Sequence, residues 1–163
     1  MTKTFIRTAV TAAAAFALVA FSGNAQAEQT LCSGAEKVIF SCSTGKKMVS
    51  VCQTDASGSV QYRFGKYGKT PDIVLPENPA SKEGVLRGMN SFSGGGGAYI
   101  TFIKGDTSYI VHNYMGKRGD DIGIDVIRPN KNPISIQCVG MPDGDLENDT
   151  PKSIPLDPQS NLQ

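Results

Sequence analysis

The side chains able to do chemistry are few. The chain has one histidine, His112, and four cysteines, Cys32, Cys42, Cys52 and Cys138. A nucleophilic enzyme needs a base beside a serine or cysteine, itself held by a third group. His112 instead sits in an alternating stretch between Val111 and Asn113, which reads as a surface or sheet-edge position. The cysteines are even in number, contain no C-x-x-C spacing and lie far from His112 in sequence. They read as two structural disulfides with three possible pairings, not as metal ligands. Asp106, Asp120, Asp121 and Asp125 fall mostly in turn contexts, where aspartate is common for backbone reasons, and do not form the aimed carboxylate pair of a glycosidase. The run Gly94-Gly95-Gly96-Gly97 has no G-x-x-x-x-G-K-[ST] pattern and is followed by a strand, so a phosphate cradle is not expected. With Ser91-Phe92-Ser93 it reads as a flexible, adaptable binding tip. No enzymatic activity, cofactor or metal is implied.

The address of the chain narrows the function further. Lys3 and Arg7, the apolar run Ala9 to Phe21 and the site Ala25-Gln26-Ala27 form a secretory signal peptide over residues 1 to 27. The apolar run is too short for a bilayer span, so no membrane anchor is expected in the mature chain, which is periplasmic or secreted. Of the 16 basic and 15 acidic residues, only the two basic ones of the signal are lost on cleavage, and the mature balance is close to neutral. The charge is unevenly placed. Asp143, Asp145, Glu147, Asp149 and Asp157 face only Lys152 after Gly140, leaving a mildly basic body and an acidic tail. The segment Tyr62-Arg63-Phe64-Gly65-Lys66-Tyr67 mixes bases and aromatics, but the address and the neutral total argue against nucleic acid. It reads as a solvated strand face with long basic stems laid on apolar surface.

The elements that must position these groups are almost all strands. Alternation marks Lys37 to Ser43, Met48 to Gln53 and Ser59 to Phe64, separated by turns at Ser43-Thr44-Gly45-Lys46 and Ala56-Ser57-Gly58. Asp72 to Leu75 is a short strand at best, and residues 84 to 89 make one helical turn at most. Ala98 to Ile103 and Thr107 to Asn113 form a hairpin around Lys104-Gly105-Asp106, followed by strands at Ile122 to Ile127 and Ile134 to Val139. No longer 3.6-residue period occurs. The expected fold is all-β, a small antiparallel barrel or sandwich of about seven or eight short strands over residues 28 to 140. Residues 141 to 163, rich in Pro, Asp and Asn, read as a disordered or loosely draped tail.

Several of these pieces in order resemble a known family: Val38-Ile39-Phe40-Ser41-Cys42, Gly45-Lys46-Lys47, Val49-Ser50-Val51, a Ser93-Gly94 loop, Tyr99-Ile100-Thr101-Phe102-Ile103-Lys104-Gly105-Asp106 and Ile134-Ser135-Ile136-Gln137-Cys138. Together, over roughly residues 37 to 139, they resemble the bacterial membrane-bound or periplasmic inhibitors of c-type lysozyme. The resemblance implies a small β-barrel with disulfides Cys42–Cys138 and Cys32–Cys52. It also implies a protein partner, a lysozyme or related muramidase, whose catalytic cleft receives Ser93 and Lys104, with Gly94 and Tyr99 beside them. A lysine ammonium can pair there with a catalytic carboxylate, and a serine hydroxyl can hydrogen-bond to one. The chain departs from the family pattern in having no tryptophan, with Phe102 in its place, a shorter Ser93-to-Lys104 spacing, an extra cysteine pair and the acidic tail. Other readings of the same surface are an envelope ligand-binding or adhesin-like module and an immunity protein against a rival's cell-wall hydrolase.

Overall fold

A computed structural model describes residues 29 to 160; the signal-peptide reading lies outside them. The described chain forms β1 (Lys37–Ser43), β2 (Met48–Gln53), β3 (Val60–Gly65), β4 (Ile73–Leu75), β5 (Val85–Phe92), β6 (Gly95–Lys104), β7 (Thr107–Gly116), β8 (Asp121–Ile127), β9 (Ile134–Gln137) and a single helical turn, α1 (Leu146–Asp149). The strands make two antiparallel sheets, β1-β2-β3-β4 and β5-β6-β7-β8-β9. Every neighbour in each sheet is also the next strand in sequence, so short turns set the register throughout.

The sheets share one core. Phe40, Val49, Val51 and Tyr62 of the first meet Ile100, Phe102, Val111 and Ile124 of the second, all buried. Tyr62 is the hinge of this packing, with ring centroids 5.6 Å from both Phe102 and Tyr109. Core residues alternate along most strands, as Val49 and Val51 do in β2 and Ala98, Ile100 and Phe102 in β6. It breaks in β1, where a register shift between Val38 and Phe40 lets Ile39 and Phe40 both enter the core.

The outer face of the first sheet is covered by the N-terminal arm. The Leu31 N–H donates to Ser50 Oγ at 3.0 Å, Ser41 Oγ donates to the Gln29 carbonyl at 3.2 Å, and Cys32 is bonded to Cys52. The second disulfide, Cys42–Cys138, ties β1 to the end of β9. This is the pairing the resemblance implies. Two such bridges belong to an oxidising, extracytoplasmic environment.

Three expectations are corrected. Residues 84 to 89 belong to the eight-residue strand β5, not to a helical turn. The glycine run is strand, not flexible loop: Gly95, Gly96 and Gly97 open β6 and pair with β5 and β7. A Cβ on Gly97 would run into the Asn113 carbonyl, one on Gly95 into the Met115 carbonyl, and one on Gly96 would lie 2.6 Å from the Asn90 carbonyl. The glycines are there because three backbones converge. Finally, residues 141 to 160 are not loosely draped. Asp143 pairs with Ser41 on the open edge of β1, and Leu156 with Arg87 on the open edge of β5. Between these points Leu146 and Ile154 are each 1% exposed within the core. The composition is polar, but two well-placed apolar residues and two strand edges hold it down.

Candidate functional site

The residues expected to form one site are distributed over the second sheet. Ser93 and Gly94 are the two-residue tip of the β5–β6 hairpin, with Gly94 at φ +91°, a conformation that favours glycine. Lys104 closes the other end of β6, paired with Thr107 across the next hairpin. A ten-residue strand lies between, and at about 3.3 Å per residue this puts them roughly 30 Å apart. Ser93 and Lys104 therefore do not reach one cleft together. Lys104 Nζ is instead paired with Glu77 at 2.8 Å, both side chains exposed. The hydrogen bond from Lys104 lowers the Glu77 carboxyl and raises the Lys104 ammonium.

Tyr99 is not a presented residue either. It lies 9% exposed over Gly88, where any Cβ would strike its ring, and its hydroxyl donates to Asp157 Oδ2 at 3.1 Å. Burial first, and then the neighbouring Asp157, push the phenol up to about 12. Tyr99 pins the last residues to the sheet.

What Ser93 does have beside it is the β7–β8 turn. The Lys117 N–H donates to the Gly94 carbonyl at 3.1 Å, and the stem of Lys117 passes over Gly94, with Cδ 3.4 Å from where a Cβ would stand. Phe92, Ser93 and Gly94 on one tip and Lys117, Arg118 and Gly119 on the other line a cleft of about 460 Å³. Phe92 is 48% exposed and meets Tyr114 edge-on at 6.3 Å. Among the described residues neither Lys117 nor Arg118 takes part in an ion pair. Two unpaired cations, a hydroxyl and an exposed ring on adjacent turns are suited to an anionic group, carboxylate above all. Lys117 and Arg118 carry no periodicity or motif, which is why sequence reasoning passed over them. The usable signal was arithmetic: hairpins on both sides of an uninterrupted strand bring alternate turns to the same end.

The other polar groups singled out in the sequence lie elsewhere in the fold. His112 is 1% exposed in the central strand β7, not on a surface or an edge. It stacks on Tyr114 at 4.8 Å, and its Nε2 lies 3.1 Å from Asp121 Oδ1, which also accepts from Gln137 at 2.9 Å. Ser135 Oγ donates to Asp125, and His112 Nδ1 is buried with no hydrogen-bond partner among the described residues. Arg63 makes a bidentate pair with Glu36, at 2.7 Å on both sides, and is not free for phosphate. Cys32, Glu36 and Cys52 come together as possible metal ligands, but the two sulfurs are bonded to each other and offer no thiolate. No family model matches the chain, nor does any curated protein or solved structure.

Proposed function

We propose that this is an exported inhibitor of a peptidoglycan-cleaving muramidase, with c-type lysozyme the first target to test, and that it works through the double-hairpin tip and not through a Ser93–Lys104 pair. The observation that carries the reading is that Ser93 lines one cleft with Lys117 and Arg118, neither of which takes part in an ion pair among the described residues. A muramidase cleft carries two carboxylates, one of them ionised. A cation inserted there loses its water but gains a charge-assisted hydrogen bond in a shielded site. The disulfides and the shared core give the tip a rigid base, so little ordering is required on binding.

The test is inhibition of lysozyme clearing by the purified mature protein. Reversing both charges, Lys117→Glu with Arg118→Glu, should weaken inhibition at least thirtyfold, since loss of a desolvated charge pair costs about 2–5 kcal/mol of binding. Lys104→Ala, at the far end of β6, should leave inhibition unchanged. The opposite result would place the contact at the Lys104 turn and reject the tip. Absence of inhibition of any muramidase would reject the function itself.

A further inference from the structure

The turn that joins β7 to β8 reads Lys117-Arg118-Gly119-Asp120, and all four residues are exposed. It stands on a rigid base. Gly116 pairs with Gly95 across β6, and Tyr114 with Asp121 across β8. The Gly119 N–H donates to the Gly116 carbonyl, and the Lys117 N–H to the Gly94 carbonyl of the neighbouring hairpin, both at 3.1 Å. Gly119 has φ +117°, a conformation that a residue with a Cβ resists. A Cβ there would meet nothing within 4 Å. The glycine thus answers to the shape of the turn and not to packing, and the apex stands clear of the rest of the molecule.

Arg118 and Asp120 flank that glycine. Among the described residues neither takes part in an ion pair. Their Cα atoms are at most about 7 Å apart, so a guanidinium and a carboxylate are presented close together and unpaired. The two groups call for different partners. A guanidinium takes a carboxylate through two parallel hydrogen bonds. A carboxylate without a cation of its own is a hard oxygen ligand for a divalent metal that has a coordination position open. Arg-Gly-Asp on a projecting turn offers both contacts at once, and metal-dependent adhesion receptors read this tripeptide in that way. The anchored turn is already ordered, so little freedom is lost on binding. The two disulfides suit the extracellular medium in which such receptors act.

From this exposed, anchored and unpaired apex we infer that the protein binds a cell-surface adhesion receptor that carries a divalent cation: Asp120 completes the coordination of the receptor's cation, and Arg118 pairs with a receptor carboxylate beside it. The inference is independent of the muramidase reading. The two share Arg118 but part at Asp120, an anion that a carboxylate-lined cleft does not attract, and at Lys117, which the receptor contact does not need.

The test is binding of the purified, disulfide-bonded mature protein to an immobilised integrin ectodomain of the class that reads Arg-Gly-Asp, with magnesium or manganese present. Saturable binding is expected, abolished by EDTA and displaced by a Gly-Arg-Gly-Asp-Ser peptide but not by Gly-Arg-Gly-Glu-Ser. Asp120→Glu keeps the charge and shifts the carboxylate by one methylene. It should raise the dissociation constant about tenfold or more, as should Arg118→Ala, whereas Lys117→Ala should leave it within about twofold. All three variants lie on the exposed turn and should keep the wild-type melting temperature. Asp120→Glu should also keep the wild-type level of lysozyme inhibition, so the two readings fail separately. No binding by the wild type, binding that survives EDTA, or equal binding by Asp120→Glu would each overturn the assignment.

Discussion

At the scale of single residues, the groups that looked chemical are mostly occupied in holding the molecule together, and Glu36 shows how. Burial alone would raise its carboxyl. The bidentate pair with Arg63 and the Ser33 N–H outweigh that effect and hold it below the usual value near 4.5. Arg63 also donates to the Leu31 carbonyl at 3.0 Å, so the pair fastens the N-terminal arm next to the Cys32–Cys52 bridge. Because the folded-state value is depressed, this stabilisation is fully present above pH 4.5 and is lost as pH falls through the folded value. Glu36→Gln leaves Arg63 half-paired near the surface and should cost about 1–2 kcal/mol at neutral pH. Urea denaturation at pH 7 and pH 3 checks this: the gap between wild type and variant should narrow at the lower pH, and a gap independent of pH would show that charge is not the cause. Of the four proposed contact residues, the sequence disclosed identity but not company. Nothing in Ser93 or Lys104 reveals that a continuous strand keeps them apart, because the residues joining them begin with glycines that imitate a loop.

At the scale of elements, strands with one buried face were legible and those defined by unusual neighbours were not. The strands β1, β2, β3 and β8 lie within one residue of the boundaries read from sequence, whereas β7 runs three residues past Asn113. In β5, by contrast, Val85, Arg87 and Met89 share a face, and a charged residue interrupts the apolar pattern. Arg87 is tolerated there because its Nε donates to the Ile154 carbonyl at 2.9 Å, a partner 67 residues away that local pattern cannot supply. The glycines of β6 are a packing requirement, and that can be tested. Gly97→Ala should destabilise the protein by about 1–3 kcal/mol through overpacking against the Asn113 carbonyl. Gly34→Ala, with nothing within 4 Å of its Cβ position, should be close to neutral. Thermal unfolding of the two variants decides between packed strand and free loop; equal melting temperatures would reinstate the loop.

At the scale of the whole molecule, residues 143 to 160 complete the fold. They run from the edge of β1, through two core insertions, to the edge of β5, and so pair with one outer strand of each sheet, an edge that could otherwise pair with another chain. Composition concealed this, since burial here rests on Leu146 and Ile154 alone and its value depends on where they land. Ile154→Ala should cost about 2–5 kcal/mol, the range for truncating a fully buried isoleucine. It should also raise the tendency to associate, measured by light scattering beside the denaturation midpoint. A midpoint within error of wild type would mean that the strap is dispensable.

The disulfide map has a consequence for biogenesis. In order of synthesis the cysteines are Cys32, Cys42, Cys52 and Cys138, yet the bonds join the first to the third and the second to the fourth. A chain crossing a membrane N-terminus first presents Cys32 and Cys42 to an oxidant before either native partner has emerged. Linking cysteines as they appear would produce Cys32–Cys42, a bond that β1 cannot accommodate once Cys42 has turned to the core. On the proposed exported route, reaching the native bonds therefore calls for thiol–disulfide exchange as well as oxidation, and yield should depend on the proofreading capacity of the receiving compartment.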